Sequence, residues 1–244
     1  MLDTLIDKRS KSCGCKVNRT RKYKCDLQYF EKIDREDKAY FLGLLYADGC
    51  NYGHLRVTDL KLQEVDRHIL VDFARYLKSN YKIKYINRPS RQFFKDRNKY
   101  YHIKKQYCLT LNSAKICHDL KKLGCHPNKT RTLKFPSNKQ VPCRLLSHFI
   151  RGFFDGDGCI WQGKIKTQTK FSMTGTVNMI TGVQKILMKK LKFKKTKIVV
   201  NKNKICCLLE YNGRKQVAKF YNYIYKDANV FFIRKKNKMA NIIN

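Results

Sequence analysis

Two aspartates, Asp48 and Asp157, are the residues of this chain best placed to do chemistry, because their surroundings occur twice. From Tyr40 to Gly49 the chain reads YFLGLLYADG, and from Phe149 to Gly158 it reads FIRGFFDGDG, with an aspartate at the same place in each. A single Asp-Gly after an apolar run is ordinary turn chemistry. The same apolar helix in front of it twice is not, since a turn demands no particular helix. Each motif also carries two small residues four apart, Gly43 with Ala47 and Gly152 with Gly156, which share one helical face. Glycine inside a helix costs about 1 kcal/mol relative to alanine, so a close approach of two helices is the expected compensation. Pairing the motif helices would bring Asp48 and Asp157 to one end of the pair, where two carboxylates meet the negative ends of two macrodipoles. Divalent cations relieve such an arrangement.

The rest of the composition says what those carboxylates would act on. The 244 residues contain 54 Lys and Arg against 18 Asp and Glu, a net charge of +36. Self-repulsion of that size points to a polyanionic partner whose phosphates neutralise it. With 43% hydrophobic and 12% aromatic residues, the chain can bury a core and is not a disordered basic tail. It has no apolar run of about 18 residues, and MLDTLIDKRSKS lacks the apolar segment of a signal peptide. The expectation is an intracellular protein of cytoplasm, nucleoid or organelle matrix, without a membrane partner. Eleven cysteines, an odd count without a CxxC pair, argue against a disulfide framework. Cys13, Cys15 and Cys25 in the basic N-terminal stretch match structural zinc spacing poorly.

To position the two motifs, the chain needs two similar halves. Behind the first motif, strand-like residues near Cys50 to Thr58 precede a helix expected to carry Leu62, Val65, Ile69, Phe73 and Leu77 on one face. A strand from Tyr100 to Leu111 alternates, with Tyr101, Ile103, Tyr107, Leu109 and Leu111 on one side and His102, Lys104, Gln106 and Thr110 on the other. A helix from about Ser113 to Leu123 then ends at Gly124. The second half repeats this with strands within Ile160 to Thr174, a helix from about Val177 to Leu191, strands near Ile198 to Val200 and Ile205 to Tyr211, and a helix carrying Val217, Phe220 and Ile224. The expected fold is α+β, two αββαββα halves at residues 38–135 and 143–244. Residues 1–37 form a basic extension reading as an arm that orders on a partner, and 136–142, bracketed by Pro136 and Pro142, a linker.

Strands would also supply recognition. Gln162, Lys164, Lys166, Gln168 and Lys170 fall two apart and, in extended chain, point to one side, with a hairpin turn interrupting them. Lysine and glutamine read base edges in a major groove, and Lys104 and Gln106 offer the same chemistry in the first half. A merely solvated sheet face has the same polar alternation. The lysines from Lys189 to Lys197, Lys194 among them, and the loop with Arg88, Arg91, Lys95 and Arg97 read as phosphate contacts, which add affinity without specificity.

At FLGLLYADG and IRGFFDGDG the chain resembles the LAGLIDADG homing endonucleases in their single-chain, two-motif form, the likeness running from about residue 38 to 236. The resemblance implies a central pair of motif helices, a saddle-shaped antiparallel sheet spread over DNA by each half, and a monomer that cuts both strands of a long, asymmetric double-stranded site. It implies Mg2+, with Mn2+ as a substitute, held by Asp48 and Asp157 and the adjoining Gly49 and Gly158. It further implies a lysine near each metal site. Lys129 in HPNKTRTLKFP and Lys235 in FFIRKKNK are the candidates, one per half, and their alternative is plain phosphate contact. Tyr46 stands where the second motif has Asp155, so Asp155 is not expected to be an essential ligand. The competing reading is a non-cutting nucleic-acid binder on the same fold, an intron maturase with an RNA partner or a regulator. A basic RNA-associated structural protein would leave the duplicated motif unexplained.

Overall fold

The computed structural model describes residues 23–87, 91–94, 98–165, 168–201 and 206–243. The first motif forms α1 (Glu36–Ala47), and β1 (Gly49–Tyr52) leaves directly from its end. The first half continues with β2 (Val57–Gln63), α2 (Arg67–Tyr76), β3 (Ile83–Ile86), β4 (Arg91–Phe94), β5 (Lys99–His102), β6 (Gln106–Asn112) and α3 (Ala114–Lys122). The second motif forms α4 (Leu146–Asp157), followed by β7 (Gly158–Gln162), β8 (Thr169–Gly175), α5 (Val177–Leu191), β9 (Val199–Val200), β10 (Cys207–Asn212), α6 (Arg214–Tyr225) and α7 (Ile233–Ile243). The fold is mixed α+β. Each half builds an antiparallel four-stranded sheet, in the order β1-β2-β6-β3 and the corresponding order β7-β8-β10-β9. Even the caps correspond: the Ser113 hydroxyl accepts from the Ile116 amide at 3.3 Å before α3, and Thr176 accepts from Met179 at 3.2 Å before α5.

The motif helices are buried along most of their length, and they cross at their small residues. A methyl placed on Gly43 would stand 2.0 Å from the Phe149 carbonyl oxygen, and one on Gly152 would stand 2.0 Å from that of Tyr40. The two backbones therefore touch where no side chain fits. Aromatic stacks fill the layer between helices and sheets in both halves, Phe41 on Phe73 at 4.4 Å and Phe171 on Phe220 at 4.1 Å. Arg151, fully buried on α4, ties the halves: it donates to Glu36 at 2.6 Å and to the carbonyls of Ile224 at 2.8 Å and Val230 at 2.9 Å.

Several sequence expectations need correction. Leu62 lies in β2, where Thr58, Leu60 and Leu62 are buried with the strand period of two, and Val65 is 55% exposed; α2 begins only at Arg67. The strand expected from Tyr100 to Leu111 is two. β5 pairs with β4 in a separate ribbon and β6 joins the main sheet, so the His102 and Gln106 faces are not continuous. The αββαββα scheme thus gains a ribbon in the first half and a terminal helix, α7, in the second. The described part of the expected arm, residues 23–37, is not an arm. Tyr29 and Phe30 are fully buried, packing edge-on against Phe73, and the Tyr29 hydroxyl donates to Asp37 at 2.7 Å. The segment from Pro136 to Pro142 turns against the first half, with Val141 buried and the Gln140 amide donating to the Lys122 carbonyl at 3.0 Å.

Candidate active site and nucleic-acid face

Asp48 and Asp157 sit side by side where the motif helices end. A methyl on Gly156 would lie 2.3 Å from the Ala47 Cβ and 2.9 Å from the Asp48 Oδ2, so the end of α4 packs directly under the Asp48 carboxylate. Both side chains open to solvent but are walled by protein. Withdrawal from water, and then the charge of Asp48, push the Asp157 carboxyl up to about 6. Asp48 is also raised, chiefly by the same withdrawal, with Lys235 and Lys129 opposing.

Neither motif helix has a basic residue in its last turn. The cations that face those carbonyls come from elsewhere. Lys129, in the short turn Lys129–Arg131, donates to the Gly49 carbonyl and, at 3.5 Å, to Ala47. Lys235, at the start of α7, is only 6% exposed and donates to the carbonyls of Phe154 at 2.7 Å, Asp155 at 2.7 Å and Gly158 at 2.5 Å. Burial, opposed by Asp155 and Asp48, holds its ammonium down to about 8. The structure brings all four expected catalytic residues into one cluster. The carbonyls of Gly49 and Gly158, assigned to metal by the resemblance, here accept from the two lysines.

Both lysines act on both carboxylates. Among basic groups, Lys235 bears most strongly on Asp48, and Lys129 on Asp157. Lys129 and Asp157 also line a common recess of about 170 Å³ with Tyr46, Thr174, Thr176 and Cys206. On the Asp48 side stands a bidentate ion pair between the halves, Arg234 to the buried Asp66 at 2.9 to 3.0 Å.

The Asp155 carboxylate is fully buried, unlike those of Asp48 and Asp157. Its buried oxygens accept from the Tyr40 hydroxyl at 2.8 Å, the Tyr225 hydroxyl at 3.1 Å and the Phe232 amide at 2.8 Å. The equivalent Tyr46 donates instead to the Leu123 carbonyl. Asp155 anchors the strand of chain that delivers Lys235, a role visible only once Tyr40, Tyr225 and Phe232 are seen to converge.

The open faces of the sheets do not follow the expected row. Gln162 pairs with the buried Thr169, whereas Lys170 pairs with Trp161 on the opposite, solvent side, so the two point apart. Lys164 and Gln168 are exposed in the hairpin turn closed by the Gly163 amide on the Gln168 carbonyl at 2.7 Å. The residues that do share the open face of the second sheet are Trp161, Lys170, Ser172, Thr174 and Glu210, with Lys170 bridged to Glu210 at 2.9 Å and 5.3 Å from the Trp161 ring. In the first half Gln106 faces the same way as Gln63 and Lys61, Lys104 is exposed in the loop before β6, and Arg91 is exposed on the ribbon. Lys194 lies on the rim of a basic recess of about 490 Å³ shared with Lys192, Lys215 and Lys219. Arg88, Lys95, Arg97, Lys166, Cys13 and Cys15 lie outside the described residues, and Cys25 packs against the core.

Two motif helices crossing at glycines, a four-stranded antiparallel sheet on each, and an aspartate at each helix end define the two-half LAGLIDADG fold. The comparisons with known proteins agree. The I-LtrWI LAGLIDADG homing endonuclease bound to target DNA superposes with a TM-score of 0.51 at 11% identity, over 89% of this chain and 90% of that one. The I-SmaMI LAGLIDADG homing endonuclease bound to cleaved DNA gives 0.53 at 9%, over 86% and 88%. Full-length DUF199/WhiA from Thermatoga maritima gives 0.52 at 14%, over 89% of this chain and 64% of that one. No protein-family model and no curated protein sequence matches the chain. What is shared is the fold of the LAGLIDADG homing endonucleases. Among the described residues no helix is long and apolar enough to cross a membrane.

Proposed function

We propose that this chain is a site-specific DNA endonuclease of the homing type, a monomer that breaks both strands of a long, asymmetric double-stranded site. The observation that carries this reading is the cluster in which Asp48 and Asp157 meet at the ends of two touching helices, with Lys129 and Lys235 bound to the backbone carbonyls that flank them. Turn chemistry explains neither the meeting of like charges nor the buried lysine.

The residues fit Mg2+. Among the described residues no three or more His, Cys, Asp or Glu side chains gather as a metal cage, and Mg2+ asks for none, since it keeps waters and takes one or two carboxylates together with substrate phosphates. Asp48 and Asp157 would hold it, and the mutual repulsion that raises Asp157 is what a cation relieves. When bound it supplies an activated water and neutralisation of the phosphate. The chain's own part is to hold the two carboxylates at fixed separation through the glycine crossing and to offer the half-exposed Lys129 ammonium to the phosphate backbone. Trp161, Lys170, Ser172 and Thr174 on one open face, and Lys61, Gln63 and Gln106 on the other, present base-reading chemistry. The halves differ in sequence, so the site they read is asymmetric.

Selection of cleaved sites from a randomised duplex library in Mg2+ tests this. Recovery of one long non-palindromic consensus, dependent on divalent metal, is the expected result. Enrichment of a bound sequence without cutting would leave the non-cutting binder, with RNA as a second partner if it serves a maturase.

A further inference from the structure

We propose that the ribbon of β4 and β5 is a platform on which unpaired nucleic-acid bases stack, a binding site separate from the cluster at Asp48 and Asp157. It stands apart from the endonuclease reading.

The ribbon breaks the likeness between the halves. The link from β3 to β6 takes residues 87–105, whereas its counterpart from β9 to β10 takes 201–206. Within the longer link, β4 and β5 pair only with each other among the described residues. Arg91 stands opposite His102 and Phe93 opposite Tyr100, and residues two apart in a strand point to one side, so these four side chains share a face. All four are exposed. Tyr100 is 69% and Phe93 41% accessible, with ring centroids 5.1 Å apart, and beside them the Arg91 Nε donates to the His102 Nε2 at 3.4 Å. Two adjacent rings standing in water are a cost that a partner removes. Charge selects the partner: residues 87–105 carry seven Lys and Arg against Asp96 alone, which calls for a polyanion. A duplex keeps its bases stacked on one another and offers edges and phosphates, which suit the Lys, Gln and Ser of the sheets and not phenyl rings. Unpaired bases offer each ring a flat face. The phosphates between them then meet Arg91 and Lys104, which is exposed just beyond β5.

The test gives the full chain three probes of one mixed sequence of about 12 nucleotides: an RNA strand, the same DNA strand, and that DNA strand as a duplex, each carrying one 2-aminopurine. Wild type should bind the single strands and quench the 2-aminopurine by stacking, which phosphate contact alone does not do. Phe93→Ala and Tyr100→Ala should each weaken single-strand binding by about 10-fold or more and diminish the quench, whereas Tyr100→Phe should retain both. Because the rings lie outside the core, duplex affinity should stay within about 2-fold and Tm within about 2 °C. Arg91→Gln should lower the salt slope of single-strand binding by about 1. Tighter binding of the RNA strand would identify RNA as the source of the bases, and equal binding would extend the site to any single strand; both outcomes support the platform. Single-strand affinity unchanged in both alanine variants, or no quench by the wild type, would overturn it. So would an equal loss of duplex affinity, which would assign the ribbon to the duplex interface. None of these readouts uses cleavage, so failure of the endonuclease reading leaves the result standing.

Discussion

Replacing Gly43 or Gly152 by alanine probes the feature on which the whole site depends. In an exposed helix the change would stabilise by about 1 kcal/mol through helix propensity. Here the new methyl would stand 2.0 Å from a backbone carbonyl oxygen, where ordinary contact begins at 3.4 Å, and neither helix backbone can swing aside as a side chain would. The helices must part by about 1.4 Å in a close-packed interface, an overpacking cost of about 3 kcal/mol or more that outweighs the propensity gain. The net loss of about 2 kcal/mol corresponds to a fall in Tm of about 4–8 °C for a chain of this size. The two sites are reciprocal, Gly43 lying against Phe149 and Gly152 against Tyr40. Once one alanine has separated the helices the second meets less resistance, so the double variant should fall short of the sum by about 1 kcal/mol or more. Gly53→Ala is the control, since the nearest atom to its added methyl is 3.8 Å away. Urea denaturation of the four variants gives the numbers. Strict additivity, or a stability gain at either crossing glycine, would refute the close helix contact.

Asp155→Ala should destabilise by about 3–5 kcal/mol, because it strands two tyrosine hydroxyls and the Phe232 amide in the core; a calorimetric Tm near wild type would contradict the anchor role. The Asp157 carboxyl titrates at about 6 in the fold against an ordinary 3.8. The native state thus holds the extra proton between those values, and this group lowers metal-free stability as pH rises through the window. Thermal unfolding in chelator should show that slope in wild type, with Asp157→Asn flattening it. Binding to the selected site should weaken steeply with salt, with a slope in log affinity against log salt of about −5 or steeper. Lys194→Ala should weaken all sequences alike, whereas Lys170→Ala should change the bases tolerated at a few positions by about 1–3 kcal/mol each. The reverse pattern in a site-library profile would exchange the two assignments.

The central pair of helices was legible because it rests on a repeat: the same small residues and the same aspartate twice, a pattern that survives whatever surrounds it. The α5 helix, Val177–Leu191, is legible to its ends, since Thr176 caps it and the apolar spacing is regular. Lys129 and Lys235 rest on the resemblance and their place in each half, not on any spacing to the aspartates, and only the structure shows which carbonyls they bind. The remaining differences have separate physical causes. Leu62 satisfies a helical period and a strand period equally, and the 3-10 turn at Glu64–Asp66 that separates β2 from α2 carries no glycine or proline to announce it. The row from Gln162 to Lys170 kept its parity on paper, but a hairpin turn resets parity, so Gln162 and Lys170 face opposite sides. Tyr29 and Phe30 are hidden in a basic stretch whose charge outweighs its few aromatics. The anchor at Asp155 depends on Tyr40, Tyr225 and Phe232, residues far apart along the chain with no periodic signal linking them.

Cleavage by the two isosteric variants Asp48→Asn and Asp157→Asn bears most directly on the proposed chemistry. Each keeps the shape of the helix end and the DNA-facing sheets while removing one of the two charges that would hold Mg2+. On a supercoiled plasmid carrying the selected site, in Mg2+, both should lose double-strand cutting by about 1,000-fold or more, while binding in Ca2+ equals or exceeds that of the wild type. Full linearisation of the plasmid by either variant at the wild-type rate would contradict the account.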